Sequence, residues 1–81
     1  MSRLTRAVQP MPAFVKAQIV GRGLMGTYRS RPAYQQNDYL GWIMRAKLDV
    51  TRQKRLAQML DELDAGNVYM NMAWKGKRGA A

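Results

Sequence analysis

Eighty-one residues with a formal net charge of +9 make one small domain, and the lack of cysteine and histidine excludes disulfides, thiolate metal sites and imidazole acid–base chemistry. Hydrophobic residues are 47% of the chain, enough for a core, yet no apolar run nears the roughly 20 residues of a membrane-spanning helix. The first residues, MSRLTRAVQPMPAFV, lack the uninterrupted apolar stretch of a secretory signal, so a cytoplasmic bacterial protein is expected.

Residues 1–9 are expected to form a flexible lead, 10–75 a single helical domain and 76–81 a flexible tail. Pro12 suits the first turn of a helix running to about Val20, with Phe14, Val15, Gln18 and Ile19 on a mixed face. Gly21 and Gly23 stop it, because glycine adopts left-handed backbone at little cost. A short second helix spans Leu24 to Arg31, and Pro32 ends it by pushing Arg31 into an extended conformation. Ala33 to Gln36 read as a linker. Asn37 or Asp38 then caps a third helix to about Lys47, whose Tyr39, Leu40, Trp42, Ile43 and Ala46 fall at helical spacing. Asp49 caps a fourth, from about Val50 to Ala65, with the stripe Leu56, Met59, Leu60, Leu63 and Gly66 just beyond its end. In the tail, Val68, Met70, Met72 and Trp74 alternate with other residues, which predicts an extended segment folded back over the helices with no partner strand. The fold class expected is all-α: three to four short helices, a helical hairpin over about 37–65, and an extended C-terminal segment packed on it.

Charge is laid out unevenly. Residues 1–36 carry six bases and no acid, residues 37–66 five of each, and residues 67–81 three bases. Within the hairpin, Arg52, Lys54 and Arg55 open the fourth helix while Asp61, Glu62 and Asp64 close it. That order opposes the helix macrodipole, which favours acids first and bases last. If the two helices are antiparallel, Arg45 and Lys47 join Arg52, Lys54 and Arg55 in a basic tip, and Asp38 joins the acids at the far end. The basic first third is expected to pack on that acidic end, with Arg29 and Arg31 as candidates.

The motifs that could carry chemistry are weak. Gly21-Arg-Gly23-Leu-Met-Gly26 matches G-x-G-x-x-G, but a helix precedes it and Pro32 follows within a few residues, so it reads as a helix stop and turn. Asp61, Glu62 and Asp64 lack the convergent partners of a catalytic or metal site and read as a solvated helix end. Trp42, Trp74, Tyr34, Tyr39 and Tyr69 could stack on nucleobases, but in so small a domain aromatic rings more readily make the core. Trp74, flanked by Lys75 and Lys77, is the one with the composition of an interface.

The stretch NDYLGWIMRAKLDVTRQKRLAQMLDELDAG resembles the C-terminal helical segment of the YdeI/OmpD-associated family, also described as bacteriocin-protection proteins. The likeness rests on Tyr39-Leu-Gly-Trp42-Ile, Arg45-Ala-Lys47, Thr51-Arg52-x-x-Arg55-Leu and Ala65-Gly66. Members often carry this segment after a larger domain, so the chain resembles a stand-alone form. The resemblance implies a role in envelope stress or bacteriocin protection and supplies no catalytic residue, cofactor or metal ligand. Residues and resemblance together lead to a non-enzymatic interaction module, monomeric or homodimeric. It would meet an unidentified protein partner through Arg45, Lys47, Arg52, Lys54 and Arg55, with Trp74, Lys75 and Lys77 as a contact in the tail. The alternative is a nucleic-acid-binding protein that uses the same tip, a loose likeness to a helix-turn-helix.

Overall fold

The computed structural model describes residues 9–74. Four helices precede a two-stranded hairpin: α1 (Ala13–Gly21), α2 (Met25–Ser30), α3 (Ala33–Arg45), α4 (Asp49–Ala65), β1 (Val68–Tyr69) and β2 (Met72–Ala73). The chain is thus mostly helical, with a short strand pair at its C-terminal end. None of the described helices is long and apolar enough to cross a membrane.

Two elements differ from the sequence expectation. Helix α3 begins at Ala33, because Pro32 at φ −55° is already set for a helix start and its carbonyl accepts from the Gln35 and Gln36 amides. Asn37 is therefore not a cap. It is buried inside α3, and its Oδ1 accepts the Gln9 amide at 2.6 Å, which lays the segment before α1 along this helix. The tail, in turn, is not a lone extended segment. Val68 pairs with Ala73 and Tyr69 with Met72, antiparallel, around Met70 and Asn71. Both turn residues have positive φ, 51° and 63°, as a two-residue hairpin turn of the I′ type requires.

The core forms where the helical stripes meet. Leu56, Met59, Leu60 and Leu63 of α4 face Tyr39, Leu40 and Ile43 of α3, and Val15, Ile19, Leu24 and Tyr28 of α1 and α2 close the third side. The α1–α2 turn passes through Gly23 at φ +68°, and α4 ends on Gly66 at φ +85°; both positions need glycine's freedom.

At one end of this core lies Arg31, a C-cap in extended conformation and only 4% exposed. Its Nη1 donates to Gln35 Oε1 at 3.0 Å, and its Nη2 donates to the carbonyls of Glu62 and Val68, both at 3.0 Å. Its guanidinium carbon stands 4.4 Å from the centre of the Trp74 ring. One side chain therefore ties the α2–α3 junction to the end of α4 and to the hairpin. The basic first third does pack on the acidic end of α4, as the charge layout suggested. Arg31 does so through carbonyls, and the carboxylates of Asp61 and Asp64 are met by Arg22 at 3.6 and 3.9 Å. Arg29 takes no part in this contact and is exposed.

Replacing Arg31 with methionine takes one donor each from the buried Glu62 carbonyl, the half-buried Val68 carbonyl and the Gln35 side chain. We predict a loss of about 3 kcal/mol in urea unfolding. Arg31→Lys should recover only part of it, because an ammonium cannot fork between three acceptors and stack on a ring. A lysine variant as stable as wild type would show that the fork is dispensable.

Candidate functional site

The antiparallel packing of α3 on α4 brings the five basic residues into one neighbourhood, but they do not do one job. Arg52, half-buried, donates from Nε to the Ala46 carbonyl at 2.8 Å and from Nη2 to the Met44 carbonyl at 3.3 Å. Arg55 donates to the Trp42 carbonyl at 2.6 Å, and its guanidinium carbon lies 5.3 Å from the centre of that residue's ring. The Trp42 and Met44 carbonyls belong to the last turn of α3 and the Ala46 carbonyl to the residue just beyond it, where carbonyls lack partners within the helix. Two arginines of α4 thus cap the negative end of its neighbour. Their order, unfavourable to α4's own dipole, is favourable to that of α3.

Arg45, Lys47 and Lys54 are exposed. Arg45 leans back along its helix, with Nη1 3.0 Å from where a Cβ on Gly41 would stand. Leu48 and Val50, in the turn and the first turn of α4, are 64% and 60% exposed. The tip therefore presents an apolar pair on either side of the exposed Asp49, with Lys47 and Lys54 near by in sequence, a feature that charge counting alone missed. The residue types were visible in Lys47-Leu-Asp-Val50, whose apolar members fall outside the Leu56–Leu63 stripe.

Trp74 lies away from this tip, at the opposite end of α4. Some ten residues separate Arg52 from Glu62, roughly 15 Å of helix. Trp74 is half-buried beneath Arg31. Lys75 and Lys77, its expected companions in a tail contact, lie outside the described residues.

Glu62 departs most from the sequence reading of a solvated helix end. It is 4% exposed, and its carboxylate accepts four hydrogen bonds. Oε1 receives the Tyr39 hydroxyl at 2.5 Å and the Met70 amide at 2.8 Å; Oε2 receives the Asn71 amide at 2.9 Å and Gln58 Nε2 at 3.0 Å. The hairpin turn is thus docked by both of its amides on one carboxylate. Tyr69 of β1 packs edge-on against Tyr39 and Tyr34, at 5.3 and 6.0 Å between ring centres, and donates to Asp38 Oδ2 at 2.9 Å. Burial alone would push the Glu62 carboxyl up. The bonds from Tyr39, Asn71, Met70 and Gln58 outweigh it and hold the group below the ordinary glutamate value. The Tyr39 hydroxyl moves the other way, well above its ordinary value, through burial first and the Glu62 bond second.

A family model described as bacteriocin-protection, YdeI or OmpD-associated, matches residues 22–66, more than half of the chain. Neither the curated proteins nor the solved structures give a match. The matched stretch takes in α2, α3 and α4, and with them Arg31, Tyr39, Arg52, Arg55 and Glu62.

Because the Glu62 value is depressed by folding, its contribution is complete above the unfolded-chain value and fades as pH falls through the folded one. Glu62→Gln should cost about 1–3 kcal/mol at pH 7, and the gap to wild type should narrow below about pH 4.3. Urea titrations from pH 7 to 3 read this directly; a gap independent of pH would mean that the ionised form is not what docks the turn. At the tip, Arg52→Ala and Arg55→Ala should each lower stability by about 1 kcal/mol, whereas Lys47→Ala and Lys54→Ala should stay within about 0.5 kcal/mol. Equal losses at all four positions would contradict the division between capping and solvated bases.

Proposed function

The chain belongs to the bacteriocin-protection, YdeI- or OmpD-associated family, and from that premise we propose that it works as a non-enzymatic interaction module whose contact surface is the α3–α4 tip. The observation that carries this reading is the exposure of Leu48 and Val50 beside Lys47 and Lys54. Apolar side chains exposed next to solvated cations suit a protein segment of opposite charge that brings apolar residues of its own. Arg52 and Arg55 belong to the scaffold of this surface: they hold the turn through its carbonyls. A role in protection against bacteriocins would follow from what the tip engages.

The reading is supported further by how the charged interior is used. Arg31, Glu62 and Tyr39 bond to one another's backbones, side chains and neighbours, and this ties the hairpin to the helices. Groups consumed in this way serve cohesion and are not poised for proton transfer.

A fluorescein-labelled peptide of alternating glutamate and leucine tests the proposal by anisotropy, beside a duplex oligonucleotide of equal charge. The peptide should bind the wild type, and Lys47→Glu with Lys54→Glu should weaken it at least tenfold. Leu48→Ser with Val50→Ser should weaken it while leaving the salt dependence in place, because those residues contribute no charge. Unchanged affinity in the lysine variant would remove the tip as the contact surface. Tighter binding of the oligonucleotide, with a steep fall as salt rises, would put nucleic-acid binding in its place.

A further inference from the structure

A hollow of about 590 Å³, broadly open to solvent, lies between α1, α2 and α3 and the segment before α1. It shares no residue with the α3–α4 tip. Met11, Met25 and Leu40 give it apolar walls, and the buried Tyr28 lines it as well. Two cations stand on it from different helices, Lys16 of α1 and Arg29 of α2, and no lining residue is acidic. The described carboxylates that meet a guanidinium or a dense set of donors are elsewhere: Asp61 and Asp64 face Arg22, and Glu62 faces the hairpin turn. Within the cavity, the Tyr28 hydroxyl donates to the Gln36 carbonyl across 3.4 Å, a long bond that leaves it room to serve a closer acceptor. Burial raises that hydroxyl to about 12, so it remains a donor at every physiological pH.

We propose that this cavity binds a small free organic anion with an apolar body, of the medium-chain carboxylate class, its head between Lys16 and Arg29 and its chain along Met11, Met25 and Leu40. Opposite charges on two elements fix one end of such a ligand. Methionine fixes the other loosely, since its unbranched thioether adapts to chains of differing length. A bare inorganic anion would leave the apolar walls wet. A nucleic acid would find two cations and no exposed aromatic platform here, because Tyr28 is 3% exposed.

Octanoate is the probe, with octanol as its uncharged counterpart, in methyl NMR titrations of the full chain. Octanoate should shift the methyl signals of Met11, Met25 and Leu40 saturably, and octanol should bind at least tenfold more weakly. Lys16→Ala with Arg29→Ala, both at exposed helix positions, should bring octanoate down to the level of octanol. Non-saturating shifts, shifts confined to other residues, or equal affinity in the double variant would overturn the site. So would perturbation of the same methyls by phosphatidylglycerol vesicles but not by free octanoate, which would mark the patch as a membrane contact.

Discussion

The whole arrangement depends on one residue of α4 being gripped from both ends. The carbonyl of Glu62 receives Arg31, and its carboxylate receives Tyr39, Gln58 and the two amides of the hairpin turn. A two-stranded hairpin of this length has no stability of its own. Its turn also holds Met70 in left-handed backbone, at a cost of roughly 1–2 kcal/mol for a residue with a side chain. The carboxylate offsets that cost, because the turn geometry points successive amides at one buried anion. Arg31 then fixes the other edge of the hairpin through the Val68 carbonyl and the Trp74 ring. Neither charge would be tolerable alone at 4% exposure; each is acceptable because several hydrogen bonds converge on it, three from the Arg31 guanidinium and four on the Glu62 carboxylate.

The same economy explains the charge order of α4. Two helices lack a suitable charge at an end: α4 has no base in its last turn, and α1 has no acid in its first turn and no base in its last, while α3 carries Arg45 in its own. The missing cations are supplied across the packing interface. Arg31 caps α4 from the α2–α3 junction, and Arg52 and Arg55 cap α3 from α4. What looked like a dipole placed backwards is a pair of helices that complete each other's C-terminal ends. Local electrostatic rules still hold, but they have to be read between neighbours as well as along one helix.

This sets the limit of what could be read from the residues. The apolar stripes of α3 and α4, the stop at Gly66 and the extended Arg31 before Pro32 were legible because each rests on spacing or on a backbone restriction within a few residues. The start of α3 was misplaced because Asn37 looks like a cap, whereas its side chain meets the amide of Gln9, 28 positions away. The hairpin was missed because Met70-Asn71 lacks the glycine that normally marks such a turn; its substitute, Glu62, is eight and nine residues away. Glu62 itself carried a signal that went unread. It lies three residues after Met59 and beside Leu63, on the buried face, where a solvated acid has no place. At the tip, sequence could not tell capping arginines from solvated lysines, since both are simply positive charges until acceptors are assigned.

Among the described residues, two pairs of bases outside these cohesive bonds have different surroundings. Lys47 and Lys54 stand in the open with Leu48 and Val50, on a convex turn that a partner chain can reach from several directions. Lys16 and Arg29 stand over a concavity lined with methionine. Convex and concave sites select by different means. A turn offers little enclosure, so affinity there must come from the partner's own extent, whereas a hollow covers one side of a small molecule. Among the described residues, the packing separates bases that hold helix ends from bases beside an exposed apolar turn and bases beside a hollow with partly apolar walls.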